Sequence, residues 1–339
     1  MMLLSNSMLK IKIILAFVFC FTSLHPQTEE YTFKQLTDAD GLSQSTIFAT
    51  IQDNDGFLWL GTVDGLNQYD GYEFRIFEND PSDSTSISDN FISALFEDSD
   101  GFIWAGTING YLNSYDKKTE IFKRFYINSF FSAIKNPDNN FYDYPLAFSR
   151  DQLNTVTTIT EDKDGYLWIG TWGNGIIKFD RKNETGTHIF NNPDNQTSLS
   201  SNRILDILAD KSGNIWIATF GAGIDRLIKD NSAPINSEFN FLHYTSKYKI
   251  ENSLSDNKIT SLFEDKKGNL WIGTFYGGLN KLDAINKNYS PEKAKFINYL
   301  HKLNSKNCLS NNTVMAIEQD FDGYLWIGTF GGGIDRFDI

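Results

Sequence analysis

One phrase occurs six times in this chain, and it limits the possible folds more than any other feature. The copies read GFLWLGT, GFIWAGT, GYLWIGT, GNIWIAT, GNLWIGT and GYLWIGT, with tryptophans at Trp59, Trp104, Trp168, Trp216, Trp271 and Trp326. Successive tryptophans lie 45 to 64 residues apart. That period is one supersecondary unit per copy, and it is too long for a leucine-rich repeat.

The third copy shows what one unit contains. Val156 to Thr160 is a β-branched run that reads as a first strand. Asp162-Lys163-Asp164-Gly165 follows as a tight turn, with Asp and Gly tolerating the positive φ angles that hairpins demand. Tyr166 to Thr171 is apolar on both faces, as a strand sandwiched between neighbours should be. Gly173-Asn174-Gly175 turns the chain again, Ile176 to Phe179 forms strand three and His188-Ile189-Phe190 strand four. Strand three alternates in other copies, as in Leu66-Asn67-Gln68-Tyr69 and Ile334-Asp335-Arg336-Phe337. Four antiparallel strands per unit make a blade, so the expected fold is an all-β β-propeller of six visible four-stranded repeats.

The units run from about 41–77, 86–125, 153–190, 198–244, 253–299 and 308–339, and a Leu-Ser phrase opens most of them (Leu42-Ser43, Leu199-Ser200, Leu254-Ser255, Leu309-Ser310). Residues 126–152 carry no repeat phrase and read as an inserted surface loop. The last unit lacks a fourth strand, and Tyr31 to Leu36 reads as a fourth strand without a blade. The N-terminal strand is therefore expected to close the last blade and remove its free edge, the competing reading being a larger propeller that continues past Ile339.

Residues 1–27 read as a secretory signal: Lys10 and Lys12 precede the short apolar run Ile13 to Phe21, and a polar exit follows. The run is too short to span a bilayer comfortably. Residues 28–339 are then the propeller, periplasmic or secreted. Of the two cysteines, Cys20 falls in the signal and Cys308 remains as one thiol without a disulfide partner. A net charge of −13 repels nucleic acid and anionic lipid, so neither is an expected partner.

A stretch such as Ile259-Thr260-Ser261-Leu262-Phe263-Glu264-Asp265, continued through Trp271 to Gly278-Leu279, closely resembles the two-component regulator propeller repeat. The resemblance covers about Tyr31 to Ile339 in six copies. It implies the extracytoplasmic sensor region of a hybrid two-component histidine kinase, a group in which many members respond to oligosaccharides. It also implies a membrane link only through a kinase portion that this chain does not contain. The first two units depart from the pattern: three residues separate Thr62 from Leu66 where later copies have four, and Tyr111 replaces the last loop glycine.

No catalytic constellation is visible, so an enzyme is not expected, a polysaccharide-acting propeller enzyme being the alternative, and neither is a cofactor. His25, His188, His243 and His301 include no pair at metal-ligand spacing, and His188 and His243 read as unpartnered surface residues of outer strands. The pairs Asp53/Asp55, Asp98/Asp100, Asp162/Asp164 and Asp320/Asp322 echo a calcium loop but lack its bidentate glutamate. Hairpin chemistry accounts for them, with weak calcium binding as the alternative and no metal site expected. The repeated tryptophan reads as core.

Ligand-binding candidates follow the Gly-Thr phrase. If first strands line the axis, the loops between strands two and three share a face with the loops entering strand one. Those loops hold Trp172, Phe220, Phe275, Tyr276 and Phe330, with Asn202, Asn257 and Asn312 (and Asn90) at the entries. Aromatic faces stack on sugar C–H surfaces and amides bond hydroxyls, which suits an oligosaccharide or another small extracellular ligand. The alternatives are that these rings simply pack between blades, and that the flat face and the 126–152 loop bind a protein partner or a second copy. Trp172, the one tryptophan outside the repeated phrase, is the leading candidate.

Overall fold

Short β-branched and aromatic runs, broken by glycine-bearing turns, fold as antiparallel strands throughout this chain. The computed structural model describes residues 35–131, 152–228, 239–247, 249–305 and 307–339. It is all-β: six antiparallel sheets follow one another as the six blades of a β-propeller, all within the compact unit Thr37–Ile339. In each sheet the strands pair in chain order. Blades one to five have four strands; blade six has three among the described residues, Val314–Gln319, Leu325–Thr329 and Gly333–Phe337. Residues 31–34 of the strand expected at Tyr31 to Leu36 lie outside the described residues, as do the whole signal segment and 132–151.

Two outer strands differ from the sequence expectation. Blade three's fourth strand is Thr185–Ile189 and blade four's is Phe241–Tyr244 rather than Phe239 to Phe241. Backbone register decides both: Ile176 pairs with Ile189, and Ile224 with Tyr244. The start of the 126–152 segment is also more than a surface loop. Ile127 is fully buried, and the ring of Phe130 sits 5.8 Å from that of Phe179 on blade three.

One carboxylate organises each blade. The first Asp of the turn accepts the indole N–H of the repeated tryptophan six residues on, at 2.9 Å for Asp53 and Trp59, 3.0 Å for Asp210 and Trp216, and 2.8 Å for Asp265 and Trp271. Its other oxygen caps turn N–H groups, as Asp53 does for Asp55 and Phe57. The turns are thus held by the first Asp as an acceptor for the turn and the core, and among the described residues no three His, Cys, Asp or Glu groups could hold a metal. A second recurring tie explains the Asn or Asp of strand three. Asn67, Asn113, Asp225, Asn280 and Asp335 each accept the backbone N–H of a serine at the entry to their own blade, as with Ser255 and Asn280 at 3.0 Å.

Successive blades interlock through their first and second strands. The glycine of Trp-x-Gly-Thr leaves a notch, and the first β-branched residue of the next blade fills it. A Cβ on Gly106 would lie 2.3 Å from Val156, one on Gly170 2.7 Å from Ile204, and one on Gly273 2.9 Å from Val314. First-strand hydroxyls then bond across, Ser93 to the Val156 carbonyl at 2.6 Å and Thr157 to that of Ile204 at 2.8 Å.

Candidate functional site

The loops between strands two and three lie beside the entry loops, as the sequence reading expects. In blades three to five each is sewn to the entry of its own blade and of the next. Trp172 N–H bonds the Thr155 carbonyl at 3.0 Å while Gly175 N–H bonds that of Asn202 at 2.9 Å; Phe275 bonds Lys258 at 2.9 Å while Gly278 bonds Asn312 at 2.8 Å. The aromatic residues therefore form a belt on one face.

Burial divides that belt. Trp172, Phe220 and Phe275 are at most 4 % exposed and pack on one another, with centroids 5.6 Å apart for Trp172 and Phe220 and 5.8 Å for Phe220 and Phe275. They join blades three, four and five with Leu205 beside them. Trp172, the leading candidate from the sequence, thus lies beneath the face as packing. Tyr276, 63 % exposed, and Phe330, 49 % exposed, are the rings that solvent reaches. Tyr276 stands 4.5 Å from the buried ring of Phe275, edge to face, and its N–H is held by Asp256 at 3.0 Å.

The asparagines bracket the backbone. Oδ1 of Asn202 accepts from Asn191 N–H, that of Asn257 from Ser246, and that of Asn312 from His301, at 2.6 to 2.7 Å. Their carbonyls accept from glycine N–H groups of the preceding blade, Gly175 for Asn202, Gly221 and Gly223 for Asn257, and Gly278 for Asn312. Asn90 does the same with Asn79 and Gly65. These amides fix the crossing from the fourth strand of one blade to the first of the next.

Two basic residues escaped the sequence reading. The residue after each entry asparagine is Thr155, Arg203, Lys258 or Thr313 in blades three to six, so the cations interrupt a threonine pattern. Lys258 Nζ lies 5.4, 5.9 and 5.2 Å from the ring centroids of Phe220, Phe275 and Tyr276. A cation over three rings is an electrostatically favourable arrangement, and it sets a charged donor beside the exposed Tyr276.

The histidines correct the expectation of unpartnered surface residues. His243 Nδ1 lies 2.6 Å from the buried Asp225 carboxylate, which raises its pKa above the ordinary value. His188 Nε2 meets the Asn174 carbonyl at 2.7 Å, and burial pushes its pKa down. His243 finds its partner on strand three and His188 in the turn that precedes strand three, which outer-strand position alone does not reveal. Nearer the first strands, Asp206 ties three blades. It accepts from Thr158 Oγ1 at 3.1 Å and Leu262 N–H at 2.8 Å, and burial raises its pKa.

The two component regulator propeller family matches six segments of this chain, residues 41–64, 86–109, 152–173, 198–221, 253–276 and 308–331. A stretch of 72 residues, 21 % of the chain, is 47 % identical to Histidine kinase P4 of Formosa agariphila, and it amounts to 5 % of that protein's length. Among solved structures, the chain is similar to the extracellular domain of the putative hybrid two component system BT3049 from B. thetaiotaomicron, with 24 % identity, 89 % of this chain and 41 % of that one covered, and a TM-score of 0.51. It is also similar in fold to PorZ, a surface component of the type-IX secretion system of Porphyromonas gingivalis (18 % identity, 86 % and 38 % covered, TM-score 0.60). Virginiamycin B lyase from Staphylococcus aureus shares the fold at 15 % identity, with 86 % and 84 % covered and a TM-score of 0.53. The chain thus spans less than half the length of the kinase and of the first two of these structures.

Proposed function

The six repeats of this chain belong to the two component regulator propeller family, and from that premise we propose that it is a ligand-binding, non-catalytic input region of an exported sensor, with an oligosaccharide as its ligand. The observation that carries the ligand side of this reading is the exposed ring of Tyr276, braced on buried Phe275 and standing beside Lys258. Such a ring offers a flat apolar surface for a sugar's C–H face, and the ammonium offers a donor for a hydroxyl or a carboxylate. The premise supplies the output: in this reading a histidine kinase portion, linked through the membrane, receives the signal. The basic and apolar segment at Lys10 to Phe21 fits export.

A thermal-shift screen of the chain from about residue 28 onward against plant and host oligosaccharides tests this. A saturating ligand that binds the folded state alone raises the melting temperature by a few degrees. The rise should vanish in Tyr276→Ala and survive in Phe321→Ala, a fully exposed ring on the turn between the first and second strands of blade six. A cooperatively melting chain that no glycan shifts would sink the oligosaccharide reading and favour a protein-binding face.

A further inference from the structure

The second repeat departs from the other five where its third strand begins, and the departure builds a cleft. In blades one, three, four, five and six the residue before the first apolar side chain of that strand is a glycine at positive φ: Gly65, Gly175, Gly223, Gly278 and Gly333. A side chain there is obstructed, since a Cβ on Gly175, Gly223 or Gly278 would lie 2.3 to 2.4 Å from a carbonyl oxygen of the fourth strand. Blade two moves the positive φ one residue back, to Gly110 at +78°, and so admits Tyr111 where the other blades stay bare.

Tyr111 pairs in register with Tyr126 of the fourth strand, and the two rings lie 4.9 Å apart at 36°. Tyr126 is 46 % exposed, and its hydroxyl accepts from Asn128 Nδ2 at 2.5 Å, which orients the ring. Half-buried Tyr111 forms one wall of a cleft of about 320 Å³, with Asn79, Ser88, Asp89, Asn90 and Asn109 around it. Asn79 and Asn90 serve the backbone of the crossing from blade one. Asp89 and the exposed Asn109 form a pair, Asn109 Nδ2 donating to Asp89 Oδ2 at 2.5 Å, while Asp89 Oδ1 accepts Phe91 N–H at 3.1 Å. The Ser88 hydroxyl is buried without a hydrogen-bond partner among the described residues, whereas the same hydroxyl of Ser43, Ser255 and Ser310 meets Thr62, Asn280 and Thr329.

The cleft occupies the place that Tyr276 holds on blade five, with different chemistry. Asn109 stands where Tyr276 does, Asp89 where Asp256 does, and Tyr111 where Gly278 does. The residue after the entry asparagine is Phe91 here and Lys258 there, so the blade-two cleft has a carboxylate and no cation in its lining. An aromatic wall suits the C–H face of a sugar, and a carboxylate paired with an amide suits two adjacent hydroxyls. The volume is that of a site for one sugar unit. The charge of Asp89 opposes a uronate or sulfate in the same position.

We propose that this cleft is a second saccharide subsite, taking a single neutral pyranose unit, with Tyr111 as its stacking wall and Asp89 and Asn109 bonding adjacent hydroxyls. It adds a separate place to the oligosaccharide reading above, and the two stand or fall independently.

A site for one sugar unit binds with a Kd on the order of 1 mM, too weakly for a melting screen, so saturation-transfer NMR is the measurement. The probes are the methyl glycosides of glucose, mannose and galactose and the corresponding methyl uronides, titrated into the same chain. At least one neutral glycoside should show transfer. Its Kd should rise at least about tenfold in Tyr111→Gly, which restores the residue of the five other blades, and in Asn109→Ala, a change at an exposed position; Tyr276→Ala should leave it unchanged. The matching uronide should bind at least about tenfold more weakly than its neutral parent, and Asp89→Asn should narrow that gap. No transfer from any neutral glycoside to the folded chain overturns the subsite. Binding that survives Tyr111→Gly and Asn109→Ala but is lost in Tyr276→Ala places the sugar on blade five, which overturns this inference and leaves the earlier reading intact. A uronide that binds as tightly as its parent overturns the neutral preference.

Discussion

A single carboxylate per blade joins turn, indole and second strand, so its worth depends on how dry its surroundings are. Asp210 accepts from Asn214 N–H, Asn214 Nδ2, Trp216 Nε1 and Lys287 Nζ at 2.8 to 3.1 Å. Burial opposes the charge there, yet those donors outweigh it and hold the pKa below the ordinary value. Asp210→Ala leaves several donors unmet and should cost about 3 kcal/mol in urea unfolding. Asp320→Ala, whose Trp326 is open to water, should cost distinctly less in the same measurement. Trp172→Ala should likewise destabilise by about 3 to 5 kcal/mol, as the loss of a packed aromatic does, while Tyr276→Ala leaves stability nearly unchanged. His243 adds a pH dependence. Its folded pKa is raised by Asp225, so its contribution is complete below the unfolded value near 6.5 and is lost as pH rises through the folded value. The melting-temperature gap between the chain and His243→Gln should therefore shrink from pH 5.5 to pH 8.5.

At the scale of elements, the notch between blades sets what each second strand tolerates. Gly106→Ala forces a methyl onto Val156, and overpacking of this kind costs about 1 to 3 kcal/mol. Gly328→Ala should be neutral in the same denaturation series, because the methyl meets only ordinary contacts. Blade four already carries Ala218 at this position, fully buried in one cluster with Ile259 of blade five, so the interface can be built around a methyl. The strands themselves were readable from period-two alternation and glycine turns. The outer strands of blades three and four were not, since their ends follow pairing to strand three rather than any local signal. Cys308 shows the same principle: its thiol bonds the Lys302 carbonyl at 3.4 Å in the place where Ser253 bonds that of Lys247, so it reads as a serine equivalent of the repeat.

Across the whole molecule, stability should follow nearest-neighbour rules, because each blade is held mainly by the two beside it. Blades two to five have two neighbours packed on their first strands. Limited proteolysis followed by mass spectrometry should therefore find early cuts around 300–324, ahead of any within blades three to five. A first cut inside blade four would contradict that ordering. The same arrangement concentrates the candidate site on blades three to five, where the belt of rings is best supported.

Six copies of one phrase were enough to determine the repeat, its strands and its turns, because those depend on periodicity and on residues a few positions apart. The first Asp of each turn and the repeated Trp are six residues apart, so their shared role was also latent in the spacing. Which aromatic rings face solvent was not. Trp172, Phe220, Phe275 and Tyr276 occupy neighbouring places in the repeat, yet three are buried and one is open. That outcome depends on how successive blades lean on one another, and so did the exposed face of Trp326, because burial is settled by what packs from the next blade and not by the residues alongside in the chain.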